Sequence, residues 1–350
     1  MKVGVVGAGA VGSAAARALC HAGHKVTVFE QFEQGHTLGS SHGTSRIIRR
    51  AYEDPLYANL MEEVFPMWKE LEEECGEQLY FETGVLVFGK PESDYLRHTR
   101  ETLLSLKLPY EAMGYLDVAK RFGGFHLDPD EEALFQPDAG YLRADRCIKK
   151  TLEAAAGIDA DLRFSTRADV TNEGSINGEA FDAIAICAGP WTGGLVGRGD
   201  LVPRLQRFAY FDAPMEPNIP VWIDGSDDHF YGFPSYGRGF KVGRHKYGPI
   251  LDPDAPRPTE AEALEAIRRE ARKRLGADMM LEAFDCVYTV TENEDFRIGR
   301  LPWSVPAFWA SPCSGHGFKF SIWFGQLLAD LIIGKRAVED HPRFCSAAIG

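Results

Sequence analysis

The chain opens on an uninterrupted apolar run, "KVGVV" at residues 2–6, with the length and valine content of a strand buried on both faces. "GAGAVGSAAARALCHAG" then reads as a tight turn opening an alanine-rich helix, and "KVTVFE" at 25–30 as a second strand. Between Asp54 and Gly76, Leu60, Val64, Trp68, Leu71 and Cys75 recur in three- and four-residue steps, which predicts an amphipathic helix bent at Pro66. "YFETGVLVFG" at 80–89 reads as one strand entering a different layer, and residues 81–140 mix short strands, helices and turns without a strand–helix–strand rhythm. A helix at "RCIKKTLEAAAG" (146–157) and a strand in "FDAIAICAGPW" (181–191), the latter ending at Ala188 and Gly189, restore the earlier character. Residues 201–284 return to strands and turns, followed by a helix that starts on a capping box from Thr259 to Glu262 and buries Leu264, Ile267, Ala271 and Leu275. "SGHGFKFSIWFGQLLADLIIG" (314–334) is a glycine turn feeding an apolar helix. No internal repeat is present, so the pattern predicts an α/β chain of two domains interleaved in sequence. Residues 1–80, 145–200 and 285–350 form one domain, and 81–144 and 201–284 form the other.

Gly7, Gly9 and Gly12 occupy the turn between the first strand and its helix, and Glu30 ends the second strand. That is the context in which a glycine-rich turn lets backbone approach a pyrophosphate at a helix N-terminus while the acid accepts ribose hydroxyls. The plainer reading is a turn that merely closes a helix onto a sheet. Neither reading separates NAD from FAD.

Composition narrows the partners. A net charge of −13 disfavours nucleic acid and anionic membranes, so the basic residues that matter are expected to be local, and the arginine cluster within "SRIIRR" (45–50) points to something anionic beside it. No segment reaches the roughly 18 uninterrupted apolar residues of a membrane helix. The start of the chain leaves no room for a signal peptide, which makes the cytoplasm the default expectation. Seven cysteines without a C-x-x-C pair argue against a disulfide framework and a zinc site, and no metal site is expected. One of them is then a candidate for reactivity.

Several separated motifs, "GAGAVGSAAA", "HTLGSSHGTSRIIRRAY", "TGVLVFG", "YGFPSYGRGFKVGRHKYG", "CVYTVTENEDF" and "SGHGFKFS", resemble those of the monomeric sarcosine oxidase family of FAD-dependent amine and amino-acid oxidases. Their order and the interval from Cys286 to Lys319 agree with that family. The resemblance implies a Rossmann-like FAD-binding domain interleaved with an α+β substrate domain built on a mostly antiparallel sheet. It implies FAD held covalently through Cys286, which on residue type alone is as well read as an inert buried thiol. Arg49 and Lys319 match the pair that grips a substrate carboxylate, a task suited to a guanidinium and an ammonium in a dry pocket. Arg46 matches an arginine beside the isoalloxazine, and Arg50 is left as a solvent-facing charge.

Lys241 matches a lysine associated with oxygen activation, where a buried ammonium would stabilise reduced oxygen electrostatically. His245 matches a histidine near the flavin that would orient substrate or tune the flavin potential, and Tyr231 and Tyr288 match substrate-pocket tyrosines, although by type each is equally a structural residue. Gly315, Gly317 and Lys319 belong to a turn that the resemblance aims at the flavin, His316 lies in the same turn, and Thr44 is a further flavin or substrate contact. The implied activity is oxidation of a small secondary amino acid such as sarcosine to an imine, with O2 reduced to hydrogen peroxide, by a monomer. Alternatives are an oxidase or dehydrogenase of proline, pipecolate or another N-alkyl amino acid, and a non-catalytic flavin-bound subunit or sensor. Two features depart from the family: apparent deletions in 150–180 and 210–230, and Arg244 at a normally uncharged position, which as an added cation would favour a different substrate side chain or a second acidic group.

Overall fold

The computed structural model describes residues 1–215, 218–259 and 261–345. Its first layer is a six-stranded sheet in the order Arg297–Leu301, Ala307–Ser311, Ala183–Ile186, Lys2–Val6, Lys25–Phe29, Asp161–Arg163. All neighbours are parallel except the edge strand Arg297–Leu301. Burial on both faces explains the unbroken apolar runs read from the sequence. Val3 and Val5 pack with Ala15, Leu19, Trp323 and Leu328 on one side, whereas Val6, Phe29, Ile184 and Trp309 pack on the other. Helix Ala10–His21 lies against helices Ser321–Ile332 and Ala144–Gly157, and its alanines are what permit that close approach.

Helix Pro55–Cys75 forms where the apolar stripe predicts it, with Asp54 accepting the Leu56 N–H at 2.8 Å, a left-handed Gly76 ending it and Pro66 inside it. The segment 80–89, expected as one strand, is two. Tyr80–Glu82 joins a three-stranded sheet with Arg46–Ile48 and Gly140–Leu142, while Val85–Gly89 passes into a larger sheet, the break falling at Thr83 and Gly84.

That larger sheet has eight strands in the order Met279–Val290, Val202–Asp212, Phe240–Arg244, Phe230–Phe233, Val221–Asp224, Val85–Gly89, Glu132–Gln136, Glu111–Gly114. It is antiparallel apart from the pairing of Val85–Gly89 with Val221–Asp224. Side chains alternate between its faces. Leu86, Trp222, Val242, Phe240 and Phe211 meet Ile267, Ala271 and Leu275 of helix Ala261–Leu275. The opposite parity, Ile223, Tyr231, Phe233, Phe208, Lys241, Cys286 and Tyr288, lines a cleft. Of the four residues expected to be buried on that helix, Leu264 is only half-buried, and the capping box expected from Thr259 to Glu262 spans residue 260, which lies outside the described residues.

The helix is tied down by Arg274, whose side chain is 2% exposed and bonds Glu270 at 2.7 Å and Glu131 at 2.6 and 2.8 Å. Its guanidinium also stands 4.6 Å from the Phe88 ring centroid. Replacing Arg274 by Leu leaves two carboxylates in low-dielectric surroundings, and breaking such a network costs about 3–5 kcal/mol. Urea unfolding of Arg274→Leu is therefore expected to show that loss, far beyond the effect of an exposed arginine such as Arg272.

Candidate active site

One end of the cleft is the glycine turn. Gly7 has φ +98°, and a Cβ at Gly12 would collide with the Gly7 carbonyl oxygen, so both positions require glycine for different reasons. Glu30, 8% exposed, accepts the Ala8 N–H at 2.9 Å and the Phe32 N–H at 3.1 Å, which fixes its carboxylate at the end of the second strand. Gly9 precedes the helix without a side-chain cap, and Ser41 accepts the Ala10 N–H at 3.1 Å. Gly189, in the matching turn after Ala183–Ile186, also lines this end.

From there the cleft, about 1500 Å³ in volume, runs past Ser40–Gly43 to Arg49 and Lys319. Four of the cations along it, Arg46, Arg49, Lys241 and Lys319, form no ion pair among the described residues. Arg46 donates to the backbone oxygens of Ser45 (2.8 Å), Ser40 (2.9 Å) and His42 (2.6 Å). Lys241, 1% exposed, donates to the Ser45 oxygen at 3.2 Å and lies 4.2 and 4.8 Å from the Phe208 and Phe233 ring centroids. Lys319, 4% exposed, donates to the Tyr52 hydroxyl at 2.7 Å and the His316 oxygen at 2.8 Å. Arg49 donates to the Tyr95 hydroxyl at 3.2 Å, and its other terminal nitrogen is buried without a partner. Burial, then Arg46, holds the Lys241 pKa well below the usual lysine range; burial, then Arg49, does the same to Lys319.

Aromatic and imidazole groups fill the space between. Burial, with His229, Arg49 and Lys319, lowers His245 to about 3, so it is neutral at physiological pH. Its ring lies 5.7 Å from that of Tyr288. Burial pushes Tyr231 up to about 12, against a hydrogen bond from Tyr288 that lowers it. Gly315 is pressed against both rings, a Cβ there meeting His245 and Tyr288. His316 stacks on Phe296 at 4.5 Å and donates from Nε2 to the Glu294 carbonyl oxygen, 3.1 Å away.

The structure thus gathers Gly7, Gly9, Glu30, Arg46, Arg49, Tyr231, Lys241, His245, Cys286, Tyr288, Gly315, Gly317 and Lys319 along one cleft. Gly12 lies just behind the turn. Thr44 does not line the cleft: its hydroxyl is shared between those of Tyr210 and Tyr236, each at 2.8 Å. Arg50 bonds Glu62 at 2.7 Å and Asp138 at 2.6 Å with its side chain only 15% exposed, so it is a paired structural charge and not a solvated one. Arg244 has the wrong parity on its strand, faces away from the cleft and pairs with Asp228, so it adds no cation to the substrate end. Two residues that sequence reasoning passed over, Tyr52 and Tyr95, touch the cations directly. Tyr52 sits in "RRAY" beside Arg49, and a buried lysine with no acid nearby is the signal that calls for such an acceptor.

Residues 2–331 match the family described as FAD dependent oxidoreductase. The chain belongs to that family. It is 31% identical to monomeric sarcosine oxidase of Bacillus sp. (strain B-0618), covering 97% of this chain and 94% of the relative. It is 28% identical to N-methyl-L-tryptophan oxidase of Citrobacter koseri, covering 97% of this chain and 96% of the relative. The open form of NikD, an amino acid oxidase essential for nikkomycin biosynthesis, superposes with a TM-score of 0.85 at 23% identity, over 98% of this chain and 96% of that one.

This FAD-dependent amine oxidase carries a cleft that suits its cofactor. Besides the glycine turn and Glu30, buried polar atoms of His42, Ser311, His316 and Ser321 line it without a protein partner, the mark of a polar ligand that completes them. Cys286, 4% exposed, is the cysteine on the sheet face that forms its wall, with its sulfur 3.6 Å from the Ser40 oxygen. Burial pushes Cys20 up to about 11 and Cys187 up to about 12, so those thiols are unreactive core groups.

Proposed function

We propose that the chain oxidises a small secondary amino acid, with sarcosine the first candidate, to an imine that water hydrolyses to an aldehyde and an amine, while O2 becomes hydrogen peroxide. The observation that carries this reading is the pairing of Arg49 and Lys319: two buried cations with, among the described residues, no acid on either and one guanidinium nitrogen without a partner. That arrangement favours an anion small enough to enter, and a carboxylate answers both cations at once. Bound FAD supplies the two-electron acceptor. The chain supplies position and field. Arg49 and Lys319 hold the carboxylate, neutral His245 adds no competing charge, and Tyr231 and Tyr288 flank the amine. Lys241, buried on a separate strand, offsets the negative charge that reaches oxygen.

A second reading is favoured by the extension of the cleft past Tyr95 and His229 to Glu53 and Glu294, which leaves room for a larger N-alkyl amino acid. Anaerobic mixing with sarcosine, N-methyl-L-tryptophan, L-proline and dimethylamine separates the readings. Sarcosine should bleach the flavin and dimethylamine should not. Faster bleaching by N-methyl-L-tryptophan supports the larger substrate, and bleaching by dimethylamine as fast as by sarcosine defeats the carboxylate reading.

Cys286 is proposed as the covalent tether, supported by its place on the cleft wall. Acid-precipitated protein should stay yellow after washing, and Cys286→Ala should release the colour to the supernatant; colour retained by the variant rules this cysteine out. Lys241→Met should slow reoxidation by O2 by about 10²–10³-fold, the scale of losing one preorganised electrostatic group, while reduction by substrate keeps its rate. Stopped-flow measurement of the two half-reactions checks this, and equal slowing of both would move the role of Lys241 away from oxygen.

A further inference from the structure

Arg49 and Lys319 are both positive, both buried and close enough that Arg49 depresses the Lys319 pKa, yet no carboxylate holds them in place. Tyr52 does. Its hydroxyl accepts a proton of the Lys319 ammonium at 2.7 Å, and its ring lies under the Arg49 guanidinium at 4.2 Å. Because the ring is rigid, one side chain sets the separation of two groups that repel each other. Tyr52 is itself 6% exposed and locked among Tyr57, His316 and Phe320, with ring centroids 5.6, 6.0 and 6.0 Å away. Tyr57 in turn donates to Asp295 at 2.8 Å.

The count of donors then follows. An ammonium has three N–H groups; two are spent on Tyr52 and the His316 oxygen, which leaves one for a ligand. Arg49 spends one terminal nitrogen on Tyr95 and keeps the other. One ammonium N–H of Lys319 and the unpartnered terminal nitrogen of Arg49, which carries two of the five guanidinium N–H groups, are therefore left to meet a carboxylate.

We infer that Tyr52 is a positioning residue that fixes the spacing of Arg49 and Lys319 and stabilises the charged form of Lys319, and that it thereby selects ligands bearing a carboxylate. This rests on the carboxylate reading given above. The charged and titratable groups around Lys319 are Arg49 and Tyr52 beside it, His316 in its own turn, and His245 across the cleft. Arg46 stacks on neighbouring Phe318, 5.6 Å from its ring centroid. Asp295, the nearby acid, is occupied by Tyr57 and Arg343. Lysine with a depressed pKa is charged below that pKa and loses its proton as pH rises through it. Carboxylate binding therefore weakens on an alkaline limb, and removing the Tyr52 acceptor moves that limb to lower pH.

The test uses flavin-loaded enzyme and methoxyacetate, which keeps the carboxylate of sarcosine and replaces its amine by an ether oxygen. Dissociation constants are read from the flavin absorbance change across neutral to alkaline pH. Tyr52→Phe keeps the ring under Arg49 and removes only the acceptor. It should raise Kd at neutral pH by on the order of tenfold, the scale of a hydrogen bond to a charged group, and shift the alkaline limb downward. Tyr52→Leu removes the ring as well and should weaken binding further at every pH. With Lys319→Met as background, adding Tyr52→Phe should cost nothing more, because the hydroxyl acts through the lysine.

A purely structural tyrosine would lower stability or flavin content in these variants without moving the limb. Wild-type Kd and an unmoved limb in Tyr52→Phe would overturn the inference while leaving the carboxylate reading intact. Absence of saturable methoxyacetate binding to the wild type would remove the carboxylate reading and this inference with it.

Discussion

Taking positive charge out of water without giving it a counter-charge is the constraint on which this molecule turns. Each buried ion costs several kcal/mol after relaxation unless its donors are met. Arg46, Arg49, Lys241 and Lys319 are met by groups that carry no formal charge. Carbonyl oxygens of Ser40, His42 and Ser45 hold Arg46, the Ser45 oxygen and two phenylalanine faces hold Lys241, and Tyr52, Tyr95 and His316 hold the remaining pair. An aspartate in any of these places would have stabilised the fold more simply. It would also have cancelled the field that the cleft presents to an anion.

Holding such groups in register calls for rigid support, and two sheets provide it. The parallel sheet brings the Gly7 turn and the Ala188–Gly189 turn together at the ends of adjacent strands. The antiparallel sheet presents one face as a wall, where strand alternation alone puts Lys241, Tyr231, Cys286 and Tyr288 on the same side. Lys319 arrives on a short turn before helix Ser321–Ile332, with its backbone oxygen fixed by the Trp68 indole at 2.7 Å. This end of the cleft is therefore assembled from strands of one sheet and from a turn and helix that pack in the core of the other.

What could be read from the sequence was whatever has a local cause. The strand–glycine turn–helix unit and helix Pro55–Cys75 are written in short-range periodicity and caps, and they appear where the pattern places them. Arg49, Lys241, Cys286 and Lys319 were legible through motifs, and the fold gathers them. Parity on the strand Phe240–Arg244 would have shown that Arg244 cannot share a face with Lys241, a signal present but unused. Thr44 and Arg50 depended on partners far along the chain, Tyr210 and Tyr236 for one and Asp138 for the other. Tyr95 reaches Arg49 from a helix whose own pattern says nothing about the site. Long-range side-chain partners leave no local trace, and those were the ones missed.

The strand order of the parallel sheet also governs when the molecule can exist. Lys2–Val6 is its third-built neighbour in space although it is made first: it pairs with Ala183–Ile186, which pairs with Ala307–Ser311. A chain emerging from the ribosome N-terminus first holds the nucleotide turn for most of its synthesis with one flank of that turn missing. Lys319 and the helix that covers Ala10–His21 come later still. The lining of the cleft is consequently complete only once nearly the full chain has been made.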